Sequence, residues 1–502
     1  MRILFVRPKA GFYISFSAQP PMSALALASF LQTRGHTVRI FDRETQRGFM
    51  KAVKEFAPDV VAVTLLSASL IPDSMQISRE LKALGLPVLW GGHMASAIPE
   101  LVMRSGLVDY VGISEGEYTM LELLEVVAGR RSPESVLGIA YLDENGEYHQ
   151  TPERPFADLA DFPPLDYSLI SVERYIDKFH YANRTFMMIT SKGCLFSCKF
   201  CFNKGFHRCQ QRLYPFEVLF EQLKYLKENH HIDGVSFADE LFGADKQALR
   251  EFCRGMKELD LKWVAGSTMG LLSREDLQMM HEAGCRSLMF GLESGSAEMR
   301  KALHKYYDAS KIDETFRNCR DIGILTIAAF IIGLPDETTE QLRETIHLYF
   351  RTSPELVLLY YYSPAPGSEL YRELVSSGRL TPGSTLAAME RETMEYHELA
   401  YNFSHIPTKD LRVIHAFINW QLVFGKKLKI KGFKQIPMPV SALVNLFSYL
   451  ISVGLRGLVR AIWQSAAFFF SIAWYAHAYP AIRKKYDLYA KNHGRMDWTS
   501  GK

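Results

Sequence analysis

The sequence predicts an α/β protein made of two successive strand–helix assemblies and a helical tail. Two observations predict this. Apolar runs of strand length alternate with helical patterns through the first 130 residues, and six more strand-and-helix units follow between Arg184 and about Leu374. Beyond residue 375 the alternation stops, and a basic cluster precedes a long apolar span. A chain of 502 residues has room for two or three domains, and 48% hydrophobic with 23% charged residues is ordinary for folded protein. A net charge of +3, with no lysine-rich tail, gives no sign of a nucleic-acid partner. The opening Met1–Val6 is too short for the apolar core of a signal peptide, so a cytoplasmic location is expected.

In the first assembly Arg2–Val6, Thr37–Phe41, Val60–Leu65, Pro87–Trp90 and Tyr110–Ile113 read as strands. Ser23–Gln32, Phe49–Phe56, Pro72–Leu84, Ile98–Arg104 and Tyr118–Ala128 read as the helices between and after them. The strands are apolar throughout, which implies a parallel sheet covered on both faces. Right-handed crossovers make it doubly wound, with a ligand beyond the carboxyl ends of the strands. At those ends stand Ser67 and Ser69, then Gly91, Gly92 and His93, then Ser114, Glu115 and Gly116. Glycines there let backbone approach a bulky ligand, and hydroxyls can bond its polar edge. No G-x-G-x-x-G follows the first strand, which argues against a dinucleotide.

Residues 131–183 read as a hairpin and a linker. Asn145-Gly146 is a strong turn signal between two short strand-like runs, and the proline-rich Pro152–Tyr167 cannot continue a helix. The second assembly, residues 184–374, has strands at Phe186–Thr190, Gly234–Ala238, Trp263–Ser267, Arg286–Gly291, Thr326–Ile332 and Leu356–Tyr362. Six units are too few for a closed eightfold barrel. Pro215–Asn229 is its clearest helix, with Leu and Phe recurring every three or four residues.

The chemistry concentrates after the first of these strands. Cys194, Cys198 and Cys201 fall within eight residues, whereas Cys209, Cys253, Cys285 and Cys319 are isolated. Zinc usually takes four ligands in two pairs, and no second pair follows. A disulfide framework does not suit a long chain with no secretory signal. Three thiolates on one loop suit a cubane iron–sulfur cluster whose fourth iron stays open; three small core residues is the competing reading. Cys209 reads as a bystander.

The spacing C-x3-C-x2-C, with aromatic Phe200 before the last cysteine, resembles the radical S-adenosylmethionine (SAM) superfamily. The resemblance implies an open partial (β/α)6 radical SAM barrel and a 4Fe–4S cluster on the three cysteines, with SAM at the open iron. It puts Asp239 and Glu240 by the SAM ammonium, Glu293 and Ser294 by its ribose and carboxylate, Gly333 in the adenine-side turn, and Phe200 among the SAM contacts. Asp336 and Glu337 could equally cap the next helix. The third strand ends in Gly266-Ser267-Thr268-Met269, without the arginine common in relatives. Of Tyr360, Tyr361 and Tyr362, two are expected to pack in the core, because alternate residues of a strand face opposite sides.

The pattern G-G-H-x6-P-E followed by D-Y-V-G-x-x-E-G-E resembles the Rossmann-like cobalamin-binding domain that precedes the barrel in one branch of that superfamily. That branch includes the oxygen-independent magnesium-protoporphyrin ester cyclase and carbon methyltransferases. The resemblance implies cobalamin held by Ser67, Ser69, Gly91, Gly92, His93, Ser114, Glu115 and Gly116. The D-x-H-x-x-G motif that supplies a histidine to cobalt is absent, and His93 reads as a loop imidazole. The implied activity is reductive SAM cleavage, then methylation or oxidative cyclisation of an unactivated carbon, with flavodoxin or ferredoxin as electron donor. A cobalamin-free radical SAM oxidoreductase or coupling enzyme, and a membrane-anchored sensor, are the rival readings.

In the tail, residues 375–502, Lys426, Lys427, Lys429, Lys431 and Lys434 precede the apolar span Val440–Tyr479, which Arg456 and Arg460 divide. Basic residues flank both pieces, so helices lying on the inner membrane face are expected rather than a crossing, with a cap on the barrel as the alternative. A membrane-leaning tail points to a lipid, isoprenoid or tetrapyrrole substrate.

Overall fold

The computed structural model of the chain describes residues 1–10, 18–392 and 399–420. The chain divides into two units, residues 1–13 with 17–406 and residues 14–16 with 407–502. Among the described residues the second unit contributes the helix Thr408–Trp420. The basic cluster and the span Val440–Tyr479 lie outside the described residues. Among those described, no helix is long and apolar enough to cross a membrane.

The first sheet comprises β1 (Arg2–Arg7), β2 (Thr37–Asp42), β3 (Val60–Thr64), β4 (Val88–Gly91), β5 (Tyr110–Gly112), β6 (Ile139–Leu142) and β7 (Tyr148–Gln150). Their order is β2-β1-β3-β4-β5-β6-β7. The first five are mutually parallel, as continuous apolar runs joined by helices require. The strand order reverses between β1 and β3, and doubly wound sheets bind ligands at such a switch point. Ser67 and Ser69 stand just past β3, so the sheet itself selects that edge. The 145–146 hairpin does more than link: β6 pairs antiparallel with β5 and β7 with β6. A parallel edge left open by β5 is thereby covered. The helix Leu386–Glu392 follows the barrel in sequence, yet Leu386 and Met389 are buried in the core of the first sheet.

The second assembly begins with β8 (Thr185–Met188), then a two-stranded ribbon of β9 (Ser191–Gly193) and β10 (Gln211–Leu213). It continues with β11 (Gly234–Phe237), β12 (Lys262–Ser267), β13 (Cys285–Glu293), β14 (Leu325–Ile332) and β15 (Leu356–Tyr361). β8 and β11 to β15 form one six-stranded sheet in sequential order, every pair parallel. It is an open half-barrel. Burial alternates along β14 and β15: Thr326, Ala328, Phe330, Ile332, Val357, Leu359 and Tyr361 are buried, and the residues between them half-buried. The buried set packs under the helices, as Phe290 does on Phe316 of helix Ile312–Ile322 with ring centroids 5.9 Å apart. The half-buried set therefore faces the concave side. Tyr361 and Tyr362 are buried and Tyr360 lies in the half-buried register.

One aromatic cluster packs β11 and β12 against the helix that joins them. Trp263 of β12, Phe237 of β11 and Phe252 of helix Lys246–Leu259 meet with centroids 5.2–6.0 Å apart. Edge-on aromatic pairs add about 0.5–1.5 kcal/mol each to their burial. That helix starts where Asp245 accepts from the Gln247 and Ala248 amides, which ends the loop carrying Asp239.

Candidate active site

The cysteine loop leaves the ribbon β9–β10, and separate contacts hold each part of it. Asp239, past the end of β11, is buried; its carboxylate accepts from the Thr190 amide (2.9 and 3.1 Å), the Thr190 hydroxyl (2.9 Å) and the Ser191 hydroxyl (2.6 Å). Burial pushes Asp239 up to about 6, against the pull of those bonds. Next to it Glu240 accepts from the Gly193 amide at 3.3 Å and lies 3.5 Å from His207. Gly193 has φ +85, and a Cβ there would run into the Gln210 carbonyl and His207. Only glycine lets the ribbon close this tightly before Cys194. Farther on, buried Asn203 donates its side-chain amide to the carbonyls of Cys194 (2.9 Å) and Phe196 (3.2 Å), and its backbone amide lies 3.4 Å from the Cys201 sulfur. The Lys199 amide donates to Leu303, and Lys199 in turn accepts from Leu370, which ties the loop's middle to the barrel rim.

Cys198 is buried and Cys194 and Cys201 are half-buried, all as thiols without a disulfide. Burial pushes Cys201 up to about 12 and raises Cys194 and Cys198 as well, while the Lys305 cation pulls all three back. Burial of a thiolate is offset when it binds cationic iron. Among the described residues no three His, Cys, Asp or Glu side chains converge on one metal ion. A cubane asks for something else, one thiolate on each of three separate irons. The donor set fits that cluster.

Lys305 has no motif around it, and nothing in the sequence marks it. Its ammonium is 3.2 Å from Glu293, with side chains 14% and 10% exposed. A buried cation of this kind needs its partner, and Glu293 with the cysteine sulfurs holds Lys305 above its ordinary value despite burial. Glu293 reaches it because β13 shifts register between Gly291 and Glu293, where Glu293 takes φ +62. Such a bulge re-aims a side chain at a strand end.

The other residues expected at the SAM side are placed less uniformly. Ser294 is fully buried, its hydroxyl 3.2 Å from that of Thr345. Phe200 packs on the apolar cluster of Leu303, Leu334 and Tyr362. Gly333, at φ +73, donates its amide at 2.8 Å to Glu337, and Leu334 donates at 3.3 Å. Glu337 thus braces the turn rather than capping the next helix; that cap is Thr338, in a reciprocal box with Gln341. Burial raises Glu337 to about 7 from 4.5, and its Oε1 has no partner. The fold therefore favours the neutral carboxyl. Its contribution is complete below about pH 4.5 and is lost as pH rises through about 7. Glu337→Gln is expected to flatten that slope and melt later than the parent at pH 8, by about 3 kcal/mol; identical melting curves at pH 5 and 8 for both proteins would refute this.

On the first sheet, Ser67 and Ser69 share a hydrogen bond of 2.8 Å at the switch point. Gly92 has φ +100, and a Cβ there would press on the Leu65 carbonyl at 2.8 Å. Gly91 faces only the distant Gly112 carbonyl, and Gly116 lies on Leu27. Side-chain-free backbone at neighbouring strand ends is the cradle a flat, bulky corrinoid needs. His93 and Ser114 reach instead into the seam with the half-barrel. The His93 ring lies 4.3 Å from that of Phe202 and 4.1 Å from that of Phe206, on the helix just after Cys201. Burial and the neighbouring His207 push it down to about 4, so it is neutral at physiological pH. Ser114 donates to the Phe206 carbonyl at 3.3 Å. Glu115 pairs with Arg212 and lies 3.9 Å from Lys192.

Fold and site together define a class: an iron–sulfur enzyme in which a strand-end ligand domain is seamed directly to the cluster loop of a half-barrel. The comparisons make the class particular. Residues 188–349 match the radical SAM superfamily and residues 16–124 the B12 binding domain. The chain belongs to the radical SAM enzymes that carry a B12-binding domain, of methyltransferase or cyclase type, and its cofactors are a 4Fe–4S cluster, SAM and cobalamin. It is 28% identical to the anaerobic magnesium-protoporphyrin IX monomethyl ester cyclase of Rubrivivax gelatinosus, over 74% of this chain and 70% of that one. It is 26% identical to the hopanoid C-3 methylase of Methylococcus capsulatus, over 74% and 72%. The structure of the radical SAM methyltransferase TsrM of Kitasatospora setae, solved with cobalamin and a 4Fe–4S cluster, shares the fold at TM-score 0.63 and 17% identity, covering 75% of each chain.

Proposed function

We propose that the enzyme methylates or oxidatively cyclises an unactivated carbon of an apolar substrate, a lipid, isoprenoid or tetrapyrrole. The observation that carries this reading is the lining of the half-barrel. Register sets Ser236 beside Val264, Gly266 beside Met289, Met289 beside Ile327, Ala329 beside Leu358 and Ile331 beside Tyr360. These residues are half-buried or exposed, and Met289 is 41% exposed. None carries a charge at neutral pH, and Ser236 and Tyr360 bring the only side-chain hydroxyls among them. Such a wall stabilises apolar surface and offers an ionic substrate nothing in return for its lost water.

Reductive cleavage of SAM at the cluster supplies the means to remove hydrogen from carbon, and cobalamin carries a methyl group. The chain binds and orients. Cys194, Cys198 and Cys201 would hold three irons; Glu240, Glu293 and Gly333, at the strand ends, would meet the polar parts of SAM. Ser67, Ser69, Gly91 and Gly92 offer the corrinoid backbone and hydroxyls. The apolar wall excludes water that would otherwise intercept a reactive carbon. An electron arrives from a small donor of flavodoxin or ferredoxin type. The tail's apolar span, which lies outside the described residues, agrees with a substrate drawn from a membrane surface.

Anoxically reconstituted protein, given methyl-labelled SAM and a lipid extract of its host, should place label in an organic-soluble product. Deoxyadenosine release with an unlabelled but oxidised lipid would favour cyclisation. Label confined to water-soluble product would overturn the apolar reading.

A further inference from the structure

The ribbon β9–β10 carries an anomaly that the site described so far does not use. Lys192 and Arg212 stand directly opposite each other in its antiparallel ladder. Like charges facing across a strand pair oppose pairing. Here both are largely buried, at 15% and 18% side-chain exposure. What holds them lies on the other domain: Lys192 bonds Glu117 at 2.7 Å, and Arg212 pairs with Glu115 through both terminal nitrogens. Glu115 and Glu117 are 11% and 6% exposed. Connector aromatics complete the enclosure, with Phe162 5.3 Å from Lys192 and Phe156 4.3 Å from Arg212.

The two ends of this clamp matter. Glu115 belongs to the loop Ser114-Glu115-Gly116 after β5, the strand beside β4, whose end carries the Gly91-Gly92 turn offered to the corrinoid. Lys192 is two residues before Cys194, and the whole cysteine loop is strung between β9 and β10. Removing either acid leaves one carboxylate to serve two buried cations that face each other, so the ribbon's shape depends on the loop and helix start that carry Glu115 and Glu117. We propose that Lys192 and Arg212 are positioning residues that couple corrinoid occupancy of the first domain to the geometry of the cluster loop, and through it to SAM affinity. The proposal rests on the cofactor assignment given above. It identifies two residues of the half-barrel, both engaged with carboxylates of the first domain, as the link between the cofactors.

The test uses the full-length chain with its cluster reconstituted, and reads SAM affinity and the cluster's electron paramagnetic resonance signal with and without hydroxocobalamin. In the parent, cobalamin should shift SAM affinity about tenfold and move the cluster signal, a coupling of ordinary size. Lys192→Met combined with Glu117→Gln removes the pair without stranding a charge. It should keep its iron and its cobalamin while losing both shifts. Lys192→Arg, which preserves the pair, should retain them, a rescue that a merely structural role would not predict in the cluster signal. Should the neutral double variant misfold, Arg212→Lys serves, with a weakened shift expected because lysine cannot make the two-pronged pair. The proposal is overturned if cobalamin binds the parent without shifting either readout, or if the shifts persist undiminished in the variants. A parent that takes up no cobalamin would instead fail at the cofactor assignment, and the coupling would fall with it.

Discussion

Cys198→Ala is expected to yield a folded protein without its 4Fe–4S cluster and with SAM cleavage at background. The backbone around Cys198 is held without its sulfur: the Cys201 amide donates to the Cys198 carbonyl at 3.1 Å, and Lys199 is bonded on both sides to the barrel rim. Loss of the side chain therefore removes a ligand rather than the loop. With two thiolates left, one of the three protein-held irons has no protein ligand, and the open corner loses its definition. Iron content and visible absorption after anoxic reconstitution give the first measure, and deoxyadenosine release under reductant the second. Cys209→Ala is the control. Cys209 is near enough to Cys194 to act on it electrostatically, but it sits outside the C-x3-C-x2-C spacing, and its removal should leave iron intact. If Cys198→Ala retains turnover, or Cys209→Ala loses the cluster, the ligand assignment is wrong.

Asp239→Asn is expected to cost about 3 kcal/mol of stability and to lower cluster occupancy, although it changes one atom. Every partner of Asp239 is a donor: the Thr190 amide, the Thr190 hydroxyl and the Ser191 hydroxyl. All three reach Oδ1 and the Thr190 amide reaches Oδ2 as well, so an asparagine that keeps its oxygen on the hydroxyls turns its nitrogen onto the Thr190 amide and sets two buried donors against each other. Thr190→Val deletes one donor and leaves the acceptor served by the others, so about 1 kcal/mol is expected there. Thermal melting of the two variants, with iron per chain measured in parallel, decides the matter. Equal, small losses would show that Asp239 does not anchor the cysteine loop and would return it to the SAM-contact role its position first suggested.

The two variants differ in how far their effects could be read from sequence. The three cysteines announce themselves, because thiolates crowded on a glycine-led loop have few uses and spacing is a local property. Asp239 was legible as a polar residue at an apolar strand end, but its service to Thr190 and Ser191, 49 and 48 residues away, was not. The same holds for Ser294, whose buried bond to Thr345 spans 51 residues. Lys305 had no signal at all: a lysine beside two tyrosines reads as surface until the bulge in β13 swings Glu293 toward it. The hairpin around Asn145-Gly146 was legible as a hairpin, but its place on the edge of β5 depends on an open strand elsewhere.

By itself, the sequence determined the parallel strands of two sheets and the helices between them, the cysteine loop and the glycine-rich strand ends, but not the ribbon β9–β10. Those follow from periodicity and from backbone geometry, which act over a few residues or a few turns. Tertiary structure alone decided what the two assemblies say to each other: Lys192 meeting Glu117 across 75 residues, Arg212 meeting Glu115 across 97, and His93 turning from the expected corrinoid wall into the rings of Phe202 and Phe206. A charge carries no address along the chain. It finds its partner only where the packing of two domains has excluded water, and that exclusion belongs to the folded surface as a whole.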